Sequence, residues 1–107
     1  MFARIGLFFR QVVNELKKDG VALDRIDVVG HTDPIGTDAA NETLGLMRAQ
    51  TVRQMLIESG LSVGSITVQS KGRRELLIDD CLGDRPHLIA CNSPNRRVVI
   101  QVYARRE

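Results

Sequence analysis

Ile26-Asp27-Val28-Val29-Gly30-His31-Thr32-Asp33 is the stretch whose reading decides the fold. Its first five residues form a short β-prone run, as expected of a central strand. The residues from His31 to Asn41 are polar and include Pro34 and Gly36, so the chain is expected to run there as a loop. Asp33 then falls just past the carboxyl end of a strand, where open α/β sheets place their ligands.

Upstream, Ile5, Phe8, Phe9, Val12, Val13 and Leu16 recur at helical spacing and predict a first helix. Lys17 and Lys18 suit its last turn, and Gly20 its stop. Downstream, Ala49, Val52, Met55 and Leu56 form the buried stripe of a second helix, expected from about Leu46 to Ser59. Gly45 would serve as its N-cap and Gly60 as the residue just past its end. Ile66 to Ser70 reads as a second strand, and Val98 to Tyr103, rich in β-branched residues, as the last. Gly72 to Pro94 is long and irregular, with a helical turn expected near Glu75 to Ile78; connections of that length are usually functional or stapled. The expected order is α-β-α-β-loop-β. Helices would pack on one face of a small mixed sheet, an α+β two-layer sandwich in a single domain over residues 1–107.

The 107 residues are 43% hydrophobic and 26% charged, enough for one core. The net charge of +2 is too weak to argue for nucleic acid. The basic set is lopsided, with twelve Arg and three Lys. Arginine is suited to planar, bidentate recognition of carboxylate and phosphate. No apolar run approaches the ~20 residues of a membrane-spanning helix. The apolar stretch between Arg4 and Arg10 is too short for a signal-peptide core.

The chemistry concentrates at Gly30-His31-Thr32-Asp33, followed by Gly36, Asn41 and Arg48. With the second helix starting near Leu46, Arg48 would sit in its first turn, against the positive end of the dipole. A sequence that tolerates such a conflict often does so for a site. Arg48 and the free N–H groups of that turn would draw a carboxylate, and Asp33 an ammonium, so the pair describes a receptor for a zwitterion. Asp33 and Arg48 could equally pair with each other across the loop. His31 follows a strand and reads as a packing residue rather than a base. Arg73-Arg74 and Arg105-Arg106 read as surface charges. A hydrolase built on His31 and Asp33 lacks a paired nucleophile.

The ordered series Val28-Val29-Gly30-His31-Thr32-Asp33, Gly36, Asn41-x-x-Leu44-Gly45-x-x-Arg48-Ala49-x-x-Val52 and Asn95-Arg96-Arg97-Val98-x-Ile100 resembles the OmpA-like domain of outer-membrane porins, Pal lipoproteins and MotB-type stators. The resemblance covers about residues 4 to 104. It implies non-covalent binding of peptidoglycan through the meso-diaminopimelate of the stem peptide, with no enzyme activity, cofactor or metal. Asp33 would hold the ligand's ammonium and Arg48 its carboxylate. Thr32 and Asn41 would shape the pocket, and Arg96 or Arg97 would line it. Adjacent strand residues point to opposite faces, so at most one of the two arginines should face the site, Arg96 before Arg97. The implied place is the periplasm of a Gram-negative bacterium, with the domain anchoring the outer membrane or an envelope complex to the cell wall.

OmpA-type porins also carry a cysteine pair where this chain has Cys81 and Cys91, which implies a disulfide worth ~3 kcal/mol and an oxidising compartment. Two free thiols are the alternative; a zinc site with His87 lacks a fourth ligand. The family pattern begins with a further strand before the first helix, and this chain begins at the helix. Relative to the family order 1-4-2-3, the last strand is then expected at an exposed edge: either this stretch is truncated relative to the family, or the sheet is completed by pairing with a second copy, or the strand is dispensable. A scaffold or dimerisation domain with weakened peptidoglycan binding is therefore the alternative function. Nucleic acid is not an expected partner, and contact with a membrane would need a separate anchor.

Overall fold

The computed structural model describes residues 10–12, 14–16, 18–60 and 63–106. Ile5, Phe8, Phe9, Val13 and Lys17 of the first predicted helix lie outside the described residues. Residues 10–12, 14–16 and 18 are helical, and Leu16 packs against the core.

Strand β1 runs Val21–His31, longer than the predicted run and central in the sheet. It pairs in parallel with β2, Ser65–Gly72, and antiparallel with β3, Val98–Arg106, in the order β2-β1-β3. A parallel pair needs a long crossover. Helix α1, Asp38–Glu58, supplies it. Register places Ile26 beside Ile66, and Val28 between Val68 and Ile100. These side chains meet Ala49, Val52 and Leu56 of α1 in one core. The opposite face of the sheet carries polar contacts around Asp27: Thr67 donates to Asp27 at 2.6 Å, and Arg25 pairs with Asp27 while stacking over Tyr103. The architecture is the expected α+β two-layer sandwich.

Helix α1 departs from the sequence reading at its start. It begins at Asp38, not near Leu46, and Thr37 is its N-cap, accepting from Ala40 N at 3.1 Å. Gly45 is therefore mid-helix. Its backbone lies against Gly30: a Cβ built on Gly30 would stand 1.7 Å from the Gly45 carbonyl oxygen. The helix crosses the central strand backbone to backbone, which only glycine permits. The buried stripe is Asn41, Gly45, Ala49, Val52 and Leu56, at helical spacing throughout. At the other end Gly60 follows the C-cap Ser59 with φ +81°, as expected of the residue past the helix.

The connection after β2 also differs. No helix forms at Glu75 to Ile78; instead α2 spans Arg85–Cys91, followed by a 3-10 turn at Ser93–Asn95. Asp84 caps α2 by accepting from His87 N at 3.1 Å, and Pro86 sits in its first turn. Cys91 at its end is bonded to Cys81, with 5.8 Å between their Cα atoms. The disulfide is as the resemblance implies. Among the described residues β3 is an edge strand, and Gln101 to Arg106 are exposed. No described helix is long and apolar enough to cross a membrane.

Candidate functional site

The site forms where β1 ends and the chain turns into α1. Thr32 N donates to the Gly72 carbonyl at the end of β2, so the turn is still tied to the sheet. Asp33 is the next residue and is half-buried. One of its carboxylate oxygens, Oδ1, accepts from Ile35 N at 3.0 Å, which closes a local turn. The other, Oδ2, accepts from Arg96 Nη1, also at 3.0 Å. That ion pair is mostly shielded, with side-chain exposures of 14% for Asp33 and 29% for Arg96. Arg96 Nη1 donates as well to the Ile89 carbonyl of α2 at 3.0 Å. Asp33 and Arg96 are therefore brought together.

Arg48 does not sit in the first turn of a helix, because α1 begins ten residues earlier in the chain. The dipole conflict inferred from sequence, and the free N–H groups invoked beside it, are removed by that correction. What places Arg48 is the end of β1: its Nη1 donates to the His31 carbonyl at 3.0 Å. The guanidinium thus meets the backbone two residues before Asp33. Among the described residues it forms no ion pair, and Asp33 pairs with Arg96 rather than with Arg48. A fork of five donors held by one neutral carbonyl keeps both its charge and further donors for an anion.

Thr32 and Asn41 are buried and serve the loop. Thr32 Oγ1 donates to the Asp33 carbonyl at 3.1 Å, and Asn41 Nδ2 to the Ile35 carbonyl at 3.2 Å. Arg97 turns elsewhere: its Nη2 donates to the Glu75 carbonyl at 3.1 Å. It lies by His31, whose imidazole is buried and whose Nδ1 has no hydrogen-bond partner among the described residues. Burial, then the nearby Arg97 charge, hold that imidazole below its ordinary pKa, with Glu75 opposing. His31 is thus a buried packing residue, as read from sequence.

Arg73 was expected on the surface. Instead it reaches the loop, donating to Asp38 and, at 3.0 and 3.4 Å, to the Pro34 and Gly36 carbonyls. No spacing in the sequence links residue 73 to residue 34; only the parallel pairing of β1 with β2 does. Arg74 pairs with Glu42, and Arg105 with Asp24, at exposed positions. Among the described residues no cluster of His, Cys, Asp and Glu could hold a metal ion.

This fold recurs in solved structures. The peptidoglycan-associated lipoprotein from Burkholderia pseudomallei superposes with a TM-score of 0.69 at 24% identity, over 95% of this chain and 77% of that one. The C-terminal domain of Helicobacter pylori MotB gives 0.65 at 20% identity, over 94% and 72%. In sequence, the chain is 38% identical over 97 residues to outer membrane protein A of Shimwellia blattae, covering 88% of this chain and 39% of that protein. It is 35% identical over 103 residues to outer membrane protein A of Escherichia coli O157:H7, covering 94% and 29%. The chain thus spans well under half the length of these relatives. The sequence model of the OmpA family matches residues 8–86, most of the chain, which therefore belongs to the OmpA family.

Proposed function

We propose that this domain is a non-enzymatic binding module that holds peptidoglycan through the meso-diaminopimelate of the stem peptide. The observation that carries the reading is the layout of charge at the end of β1. Asp33 presents a carboxylate there, and Arg48, bonded to the His31 carbonyl, presents a cation with no acidic partner among the described residues. The far end of diaminopimelate is an α-amino acid, so its carboxylate suits Arg48 and its ammonium Asp33. Each charge-assisted hydrogen bond contributes ~1.5–3 kcal/mol, enough for modest monovalent affinity that a polymeric wall raises through multivalency. Arg96, which already shares Asp33, lines the site; Thr32 and Asn41 fix its loop. The disulfide and the outer-membrane relatives support a periplasmic place in a Gram-negative envelope, where the module would tether the outer membrane or an envelope complex to the wall.

The test is titration with a diaminopimelate-containing muropeptide against its lysine analogue, which lacks the second carboxylate. The expected result is clear preference for the former, and loss of retention on purified cell wall for Asp33→Ala and for Arg48→Ala. Equal binding of the two muropeptides, or binding of neither, sinks the reading.

The edge position of β3 among the described residues supports a second reading, a scaffold that pairs with a second copy through Val98–Arg106. A stable dimer in solution with no retention on cell wall would favour it over the first.

A further inference from the structure

Three consecutive carbonyls follow Asp33, and each is held by a side chain from outside the loop. Asn41 Nδ2 binds the Ile35 carbonyl at 3.2 Å, while Arg73 Nη1 binds those of Pro34 at 3.0 Å and Gly36 at 3.4 Å. Arg73 also meets Asp38, the first residue of α1. It stands one residue past the end of β2, so its backbone is fixed by the sheet while its guanidinium spans the loop. A planar fork suits this task, since one group can reach two carbonyls and a carboxylate together.

We infer that Arg73 is the positioning residue of the site: by holding the Pro34 and Gly36 carbonyls it sets the turn in which Asp33 presents its carboxylate. It touches no ligand and acts through the loop. The Asp33 carboxylate accepts from Ile35 N, so its direction depends on where the 34–36 backbone lies. Without Arg73, two carbonyls lose their donor and the Asp33 turn loses its outer brace. The ion pair with Asp38 is the lesser part, because its side chains are 37% and 79% exposed and such pairs are weak.

This inference rests on the proposed role of Asp33 in ligand binding, and its test has one arm that needs no ligand. In the free protein, Arg73→Ala should speed hydrogen exchange of the Ile35 amide while the amides of β1 and the middle of α1 keep their protection. With the diaminopimelate muropeptide, Arg73→Ala should weaken binding by roughly tenfold, the loss of about one charge-assisted hydrogen bond. Arg73→Lys, which keeps a donor, should recover part of it, and Asp38→Asn should stay within about twofold of the parent. In an Asp33→Ala background, Arg73→Ala should change nothing further, since the group it positions is gone. Unchanged Ile35 exchange in Arg73→Ala overturns the inference, and so does faster exchange with undiminished muropeptide affinity. If the parent protein binds no muropeptide, the proposed function fails; Ile35 exchange then still decides whether Arg73 sets the loop.

Discussion

Two connections leave the carboxyl ends of the parallel strands, and they are built in opposite ways. The short one, between β1 and α1, has almost no internal structure beyond the Asp33 turn. Asn41 from α1, and Arg73 and Arg96 from the two ends of the long connection, hold it from outside. The long one, between β2 and β3, is held from within. Cys81 is bonded to Cys91, and the fully buried Asn95 gathers three backbone groups: its Oδ1 accepts from Leu77 N and Ile78 N, and its Nδ2 donates to the Ile78 carbonyl. The difference teaches a division of labour. The long connection is a self-supporting frame that sends Arg73 from its start and Arg96 from its end onto the short one. The short connection carries the Asp33 carboxylate.

Removing the hub of the frame should have the largest effect. Asn95→Ala strands the Leu77 and Ile78 amides and the Ile78 carbonyl, and also ends the 2.8 Å bond from Asn95 Nδ2 to Asn92 Oδ1. Three of these four bonds are part-buried, and at ~1 kcal/mol net for each hydrogen bond lost a decrease of about 4 kcal/mol is expected in urea unfolding. A loss below about 1 kcal/mol would mean that the frame does not hold itself. Replacing both Cys81 and Cys91 by Ser should cost ~3 kcal/mol in the chain-entropy model. The sharper outcome concerns the site. If the two connections are separable, this double variant keeps its muropeptide affinity within a few-fold wherever it remains folded. A collapse of affinity in the folded state would instead show that the disulfide acts on Asp33 through Arg96, which bonds both Asp33 and the Ile89 carbonyl of α2.

The same contrast explains what sequence could and could not tell. The second half of β1 is legible because Ile26, Val28 and Val29 are β-branched, while Asp24 and Arg25 hide the first half; the closing strand is legible from the β-branched run that opens it. The start of α1 is not. Its buried stripe opens with Asn41 and Gly45, residues that carry no apolar signal, so the period is visible only from Ala49 onward. Thr37 was an available N-cap signal, and accepting it would have moved Arg48 out of the first turn. Asp84 followed by Pro86 was an equally readable start for α2, obscured because its apolar residues are consecutive and show no helical period. Asp33, Arg48 and Arg96 were accessible through motif order. Arg73 was not, because its contact with Pro34 depends on strand pairing that no local pattern encodes.

His31 is where the two connections meet, and it offers the smallest effect and the most discriminating one. Its N–H donates to the Arg97 carbonyl at 2.8 Å, at the end of the frame, and its carbonyl orients Arg48 at the site. Its imidazole is buried with Nδ1 unpartnered among the described residues, and Arg97 and Lys71 oppose a positive charge there more than Glu75 favours it. The folded pKa is therefore below that of the unfolded chain, ordinarily about 6.5. As pH falls through 6.5 the unfolded state takes up a proton that the folded state refuses, so stability declines from there down to the folded pKa and is then flat in this term. Glu75 responds in a separate and lower window. Its hydrogen bond with Lys71 holds the carboxyl below its usual value, so that contribution is present above the ordinary glutamate range and fades as pH drops through it. Urea midpoints measured between pH 8 and pH 5 should thus fall in the parent protein and stay level in His31→Gln, whose side chain does not titrate. Because the folded state takes up no proton at His31 above its own pKa, muropeptide affinity should hold level in the parent while its urea midpoint declines. A parallel decline in both proteins would place the titrating group elsewhere and leave His31 a packing residue alone.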